Sequence, residues 1–167
     1  ALEYAGASYV DVGRGSEDDG QGVAAIRAFL APDADQPQPY APPFLKAGDM
    51  MISHAAAILL YLGSRHDLAP ADEAGRLWAH QLQLTVSDFV KEIHDTHHPI
   101  SNALYYEEQM EPAKQRSEHF LDVRAPKYLG YFERAIAGSP AASGYIIGDK
   151  AIYPDLSIFQ MVAGLGY

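Results

Sequence analysis

Two structural classes follow one another along this chain: mixed α/β up to about Gly63, then all-α. Three observations predict this. Short strand-like runs separated by turn residues crowd the first part of the sequence. Ser64 to Asp72 (SRHDLAPAD) has the composition of a linker. Beyond it Trp78, Leu82, Val86, Phe89 and Ile93 recur at spacings of four, four, three and four, the stripe of an amphipathic helix. A chain of 167 residues accommodates two small domains joined near residue 68.

The elements follow in order. Ala1–Ala7 reads as the tail of a helix stopped by Gly6. Ser8–Val12 (SYVDV) alternates as a strand does, and Arg14–Gly22 is a polar, Gly-rich loop. Val23–Leu30 is a short helix. Pro32–Pro43 holds five prolines and is an extended connector. Phe44–Ala47 and Met50–Ser53 form a hairpin around Gly48-Asp49, a dipeptide suited to a tight turn. Ala55–Leu62 is helical and closed by Gly63. Glu73–His94 is a long helix, ended before Pro99. Tyr105–Ile136 is a second long helical region, with Phe120, Val123 and Phe132 among its buried residues. Pro126 should kink or split it. Ser139–Gly144 is a loop, and a last helix opens around Asp155 and runs to Leu165.

Composition bounds the chemistry. Hydrophobic residues make up 48% of the chain, enough for a core. No apolar run is long enough to cross a membrane, and the opening ALEYAGA lacks the basic region of a signal peptide. Cysteine is absent, so there is neither a disulfide framework nor a thiol nucleophile. These features point to the cytoplasm. The formal charge of −10 argues against nucleic-acid partners and against anionic membrane surfaces. No Ser-His-Asp arrangement, phosphate-cradling Gly loop or zinc cysteine set is visible.

The densest stretch is Ala41–Gly63, APPFLKAGDMMISHAAAILLYLG. It sets a proline pair and a hairpin edge against a helix N-terminus. Such a combination can hold the backbone and carboxylate of a small peptide.

On these residues the chain resembles the cytosolic glutathione transferases. Ala41-Pro42-Pro43-Phe44-Leu45, then Gly48-Asp49, Ala57-Ile58-Leu59 and Tyr61-Leu62-Gly63, resemble that family's glutathione-binding half. Gly148-Asp149 followed by Tyr153-Pro154-Asp155-Leu156-Ser157-Ile158-Phe159 resembles the folding motif of its helical half. The resemblance implies a thioredoxin-like N-terminal domain at 1–65, a linker at 66–72 and an α-helical domain at 73–167. It also implies that the family's first strand, with the Tyr, Ser or Cys that activates the thiol, and its last helices are missing. No catalytic residue is therefore expected in this chain. Tyr4 and Tyr9 fall after the active-site loop. With the sheet's central strand gone, an isolated chain is expected to fold poorly.

The resemblance assigns roles residue by residue. Pro43 follows a cis bond, which turns the backbone of Pro42 outward toward the cysteinyl backbone of glutathione. Pro42 offers a carbonyl but no N–H. His54 and Ala55 stand where the family has Gln or Glu and then Ser or Thr, which receive the γ-glutamyl carboxylate. Ala55 keeps the amide and loses the hydroxyl, a contact worth about 1 kcal/mol. An ordinary helix start, with Ser53 as N-cap, is the plain alternative. Asp88 resembles a carboxylate that reaches across a homodimer to the glutathione amino group. His98 and Tyr105 fall near the electrophile pocket. Asp155 fits the N3 position of a capping box whose N-cap Ser or Thr is here Ile152, at a cost of about 1 kcal/mol.

His94, His97 and His98 are a feature outside the resemblance. His94 and His98 share one helix face at a spacing that can bind metal, with Asp95 nearby. No third ligand is evident, so the cluster reads as a polar helix end and no metal is expected.

The implied function is conjugation of the glutathione thiolate to small hydrophobic electrophiles, with glutathione as co-substrate, by a cytoplasmic homodimer. The alternative is a non-catalytic binding or regulatory protein on the same fold, since Pro42, His54 and Ala55 all depart toward weaker binding. A third reading is a helical metal or ligand carrier built on the histidines.

Overall fold

The computed structural model describes residues 1–31 and 37–166. It divides into two compact units, one from Ala1 to Leu68 and one from Ala69 onward.

The first unit opens with α1 (Leu2–Ala5), ended by Gly6 in the left-handed region at φ 61°. Ser8–Val12 is not a strand. The chain there is irregular and then closes into a 3₁₀ turn at Val12–Arg14, because the Asp11 carboxylate captures the Arg14 N–H at 3.3 Å. Alternation alone makes no strand, and no ladder partner lies beside it among the described residues. A second 3₁₀ turn, Glu17–Asp19, interrupts the expected loop and is capped by Ser16. α2 (Gly22–Leu30) follows. Residues 32–36 of the expected connector lie outside the described residues.

β1 (Phe44–Ala47) and β2 (Met50–Ser53) pair antiparallel around Gly48, with Phe44 opposite Ser53 and Ala47 opposite Met50. Gly48 has φ 62°, which the tight turn requires. Phe29 of α2 meets Phe44 of β1 edge-to-face at 5.6 Å between ring centroids. α3 runs Ala55–Arg65, three residues beyond Leu62. Gly63 does not close it. It is buried inside the helix.

The second unit is helical. α4 (Glu73–His94) starts at Asp72, whose carboxylate accepts the Gly75 N–H at 2.8 Å. Leu82, Val86 and Phe89 are buried as the stripe requires, whereas Trp78 at its start is 37% exposed. The region expected as one helix is a succession of a 3₁₀ turn at Tyr106–Glu108, α5 (Met110–His119), a π-helical turn at Phe120–Arg124 and α6 (Ala125–Ala137). Pro126 sits in the first turn of α6, directly after the π turn. Widening the helix by one residue accommodates a residue with no N–H. The widened turn also shifts the register, so Val123 is 49% exposed while Phe120 and Phe132 are buried.

α7 (Tyr153–Leu165) contributes Ile158 to a core shared with Leu82, Val86, Phe89, Phe120, Ala125, Phe132 and Ile146. Asp155 is at N3. Its carboxylate accepts the Ile152 N–H at 2.9 Å and the Ile146 N–H at 3.0 Å. The N-cap Ile152 returns no hydrogen bond but is 2% exposed, so apolar burial replaces the missing oxygen.

Candidate functional site

In the first unit the proline pair and the mouth of α3 are neighbours. The Pro42–Pro43 peptide bond is cis. One residue beyond the Phe44–Ser53 pair, the His54 N–H donates to the Pro43 carbonyl at 3.2 Å. The ladder thus continues to the proline edge and ends where α3 begins. Pro42, Pro43, His54 and Ala55 are all exposed. His54 is the N-cap, its carbonyl accepting from the Ile58 N–H at 3.0 Å, while its side chain caps nothing. The N–H groups of Ala55, Ala56 and Ala57 have no partner among the described residues. Three aligned donors at the positive end of a helix dipole suit a carboxylate. Ser53 is not the cap; it lies in β2 opposite Phe44.

His54 has φ 73° and ψ 124°. A non-glycine residue there carries about 1–3 kcal/mol of backbone strain. No motif signals this from sequence, because the strain arises where a strand must turn at once into a helix.

The second unit holds the other expected residues. Asp88 is exposed on α4. His98 and Tyr105 lie in the loop between α4 and the 3₁₀ turn, Tyr105 at its end. No hydrogen bond or ring contact joins them among the described residues; Tyr105 is held by Glu108, and His98 lies against Gln109. The Gln109 side chain is 1% exposed. Its Oε1 accepts the N–H groups of Ile100 at 3.0 Å and Ser101 at 3.4 Å. Its Nε2 donates to the carbonyls of Ser101 at 3.0 Å and Leu104 at 3.1 Å, and lies 3.2 Å from His98 Nδ1. Tyr105 is 77% exposed, with its N–H given to Glu108 Oε2 at 2.8 Å. Tyr106 instead is the tyrosine beside a histidine, 6.0 Å from the His97 ring. Gln109 was invisible to sequence reading, since a lone glutamine before a polar helix has no signature.

The His94 and His98 rings stack at 5.0 Å. Among the described residues no group of three or more His, Asp or Glu is arranged to hold a metal ion. No helix among them is long and apolar enough to cross a membrane.

A second polar centre was equally hidden. Glu92 of α4 accepts from Arg124 Nε at 2.8 Å and Arg124 Nη2 at 2.5 Å, from Arg116 at 3.4 Å and from the Tyr128 hydroxyl at 3.0 Å. The Arg124 guanidinium holds the Glu92 carboxyl below its ordinary value, with Tyr128 and Arg116 adding to the effect against the cost of burial. Burial and the Glu92 charge push the Tyr128 hydroxyl up. Tyr153, buried at the start of α7, is pushed up to about 12 by burial alone.

A small hairpin sheet with helices, followed by a helical bundle whose last helix opens on a half-buried N3 aspartate, defines a thioredoxin-like α/β domain followed by an all-α domain. Residues 94–167 match the family model described as glutathione S-transferase, C-terminal domain. A glutathione S-transferase of Plasmodium yoelii yoelii is 25% identical over 119 residues, covering 71% of this chain and 49% of the relative. One of Plasmodium falciparum (isolate 3D7) is 24% identical over 123 residues, covering 71% of this chain and 52% of the relative. The chain is thus similar to glutathione S-transferases, and its residues 94–167 to their C-terminal domain. It spans about half the length of the curated relatives it matches.

Proposed function

We propose that this chain serves a glutathione transferase, which joins the thiolate of glutathione to small hydrophobic electrophiles and acts in detoxification. The observation that supports this most directly is the His54 N–H to Pro43 carbonyl bond, which keeps an exposed proline edge beside the amides of Ala55, Ala56 and Ala57, partnerless among the described residues.

In this reading the Pro42 carbonyl meets the cysteinyl main chain of glutathione, and Pro43 orients it. The γ-glutamyl carboxylate takes the amides at Ala55, with His54 beside it. Asp88 serves the amino group from the partner subunit of a homodimer. His98 and Tyr105 border the electrophile. The donor that lowers the thiol pKa is assigned to no residue of this chain. The domain division is 1–65 and 73–167 with a linker between, and the setting is the cytoplasm. Exposed Leu77 and Leu84, seven residues apart on one face of α4, support a covering second copy.

The test is retention on immobilised glutathione together with turnover of a chromogenic aryl halide by the intact protein. Both are expected. Failure of retention overturns the reading. Retention without turnover favours the non-catalytic binding protein.

A further inference from the structure

We infer that a cleft in the second unit, between α4, the end of α6 and the loop before α7, binds a primary alkylammonium ion with an apolar body. The cleft measures about 520 Å³. It is lined by Trp78 of α4, by Ala135, Gly138 and Ser139 at the end of α6, and by Ile146 and Ile147 before α7. All of these residues belong to the second unit, so the site is defined without the first. Nor does it depend on the transferase reading.

The ligand class follows from what the cleft offers. An α-helix leaves its last carbonyls without N–H partners. At the end of α6 the Gly138 N–H returns to the Arg134 carbonyl at 2.9 Å, and the Ser139 N–H to that of Ile136 at 3.1 Å. The carbonyls of Ala135 and Gly138 take no backbone hydrogen bond among the described residues. Ser139 is 6% exposed, and its hydroxyl has no partner among the described residues. A buried hydroxyl in that condition costs stability, and an N–H donor from a ligand relieves it. The lining thus combines unmet acceptors at the negative end of a helix dipole with an indole π system. Each favours a cation that carries N–H donors, while Ala135, Ile146 and Ile147 suit its apolar chain.

Arg134 also lines the cleft, and an anion would be the occupant if its guanidinium faced inward. Instead Nη1 is turned back along α6, 3.3 Å from where a Cβ on Gly130 would stand. Helical side chains tilt toward the N-terminus, and Gly130, one turn earlier, leaves the room. The charge is therefore drawn away from the free carbonyls at the helix end. It still opposes a bound cation at longer range, which sets the sign expected for its removal.

Trp78 is the only tryptophan of the chain, so its emission reports on the cleft directly. The probe is n-octylammonium chloride, compared with n-octanoate and n-octanol, chains of equal length carrying a negative charge or none. Emission of the intact protein should change saturably with octylammonium, and both comparison chains should bind at least about tenfold more weakly. Absence of saturation by about 10 mM overturns the proposal. Equal binding of octanol overturns the cation and leaves only an apolar cleft. Tighter binding of octanoate, lost in Arg134→Ala, overturns it in favour of an anion site. Calorimetry on two variants supplies a second arm. Ser139→Ala should weaken octylammonium about fivefold while the melting point holds or rises, because the lost hydroxyl was unpartnered. Arg134→Ala should tighten it about twofold. An unchanged affinity in Ser139→Ala together with a weakened one in Arg134→Ala overturns the assignment.

Discussion

Arg124 grips Glu92 through two nitrogens, Nε at 2.8 Å and Nη2 at 2.5 Å, across 32 residues of sequence. The π-helical turn that ends at Arg124 sets the position from which it reaches α4. Arg116 and Tyr128 close on the same carboxylate, so α4, α5, the π turn and α6 share one charge centre.

That centre predicts acid sensitivity. The Glu92 carboxyl is held below its ordinary value in the folded chain and titrates near about 4.3 when unfolded. Its stabilising contribution is therefore complete above the ordinary value. It is lost as pH falls through the lower folded value. Glu92→Gln should cost about 2 kcal/mol at neutral pH and should flatten the acid limb of stability against pH. Urea unfolding at a series of pH values measures both. An unchanged acid limb in the variant refutes the assignment.

His54 predicts a backbone effect. Its φ of 73° is open to glycine and costly to a β-branched residue. His54→Gly should raise stability by up to about 1 kcal/mol, and His54→Val should lower it by about 1–2 kcal/mol. Thermal melts of the two variants, compared with wild type, decide it. Equal melting points would show that the turn into α3 is unstrained.

Ala55 predicts ligand affinity. In the proposed reading, a hydroxyl there adds a donor toward the glutathione carboxylate, beside the amides at the mouth of α3. Ala55→Ser should tighten glutathione binding by about fivefold, the equivalent of about 1 kcal/mol. Titration calorimetry checks this, and identical dissociation constants count against the α3 mouth as the carboxylate site.

Asp155 predicts a folding effect without a catalytic one. Asp155→Ala strands the Ile146 and Ile152 N–H groups, both on buried residues. The loss should be about 2–3 kcal/mol. Denaturant unfolding measures it. A loss under 0.5 kcal/mol, roughly the effect of a neutral surface change, would mean those amides find other partners.

Local chemistry carried much of this protein into view from sequence. The α4 stripe, the Gly48-Asp49 hairpin and the N3 aspartate of α7 depend on residues within a turn or two of each other, so spacing reveals them. The resemblance to glutathione transferases rests on the same short runs. Where the reading failed, a distant or competing group decided. Ser8–Val12 alternates as a strand should, yet the Asp11 cap folded its end into a 3₁₀ turn. Val123 fits a 3.6-residue period, yet the π turn rotated it outward.

From its order of residues alone, this chain determined the class of each half, the helix that faces the core and the place where a proline edge meets a helix mouth. Tertiary structure decided the rest: which carboxylate two arginines share and which glutamine holds a loop. The reason is physical. Periodicity and capping act over a few residues, whereas a buried hydrogen bond is defined only when folding has brought its donor and acceptor together and excluded water.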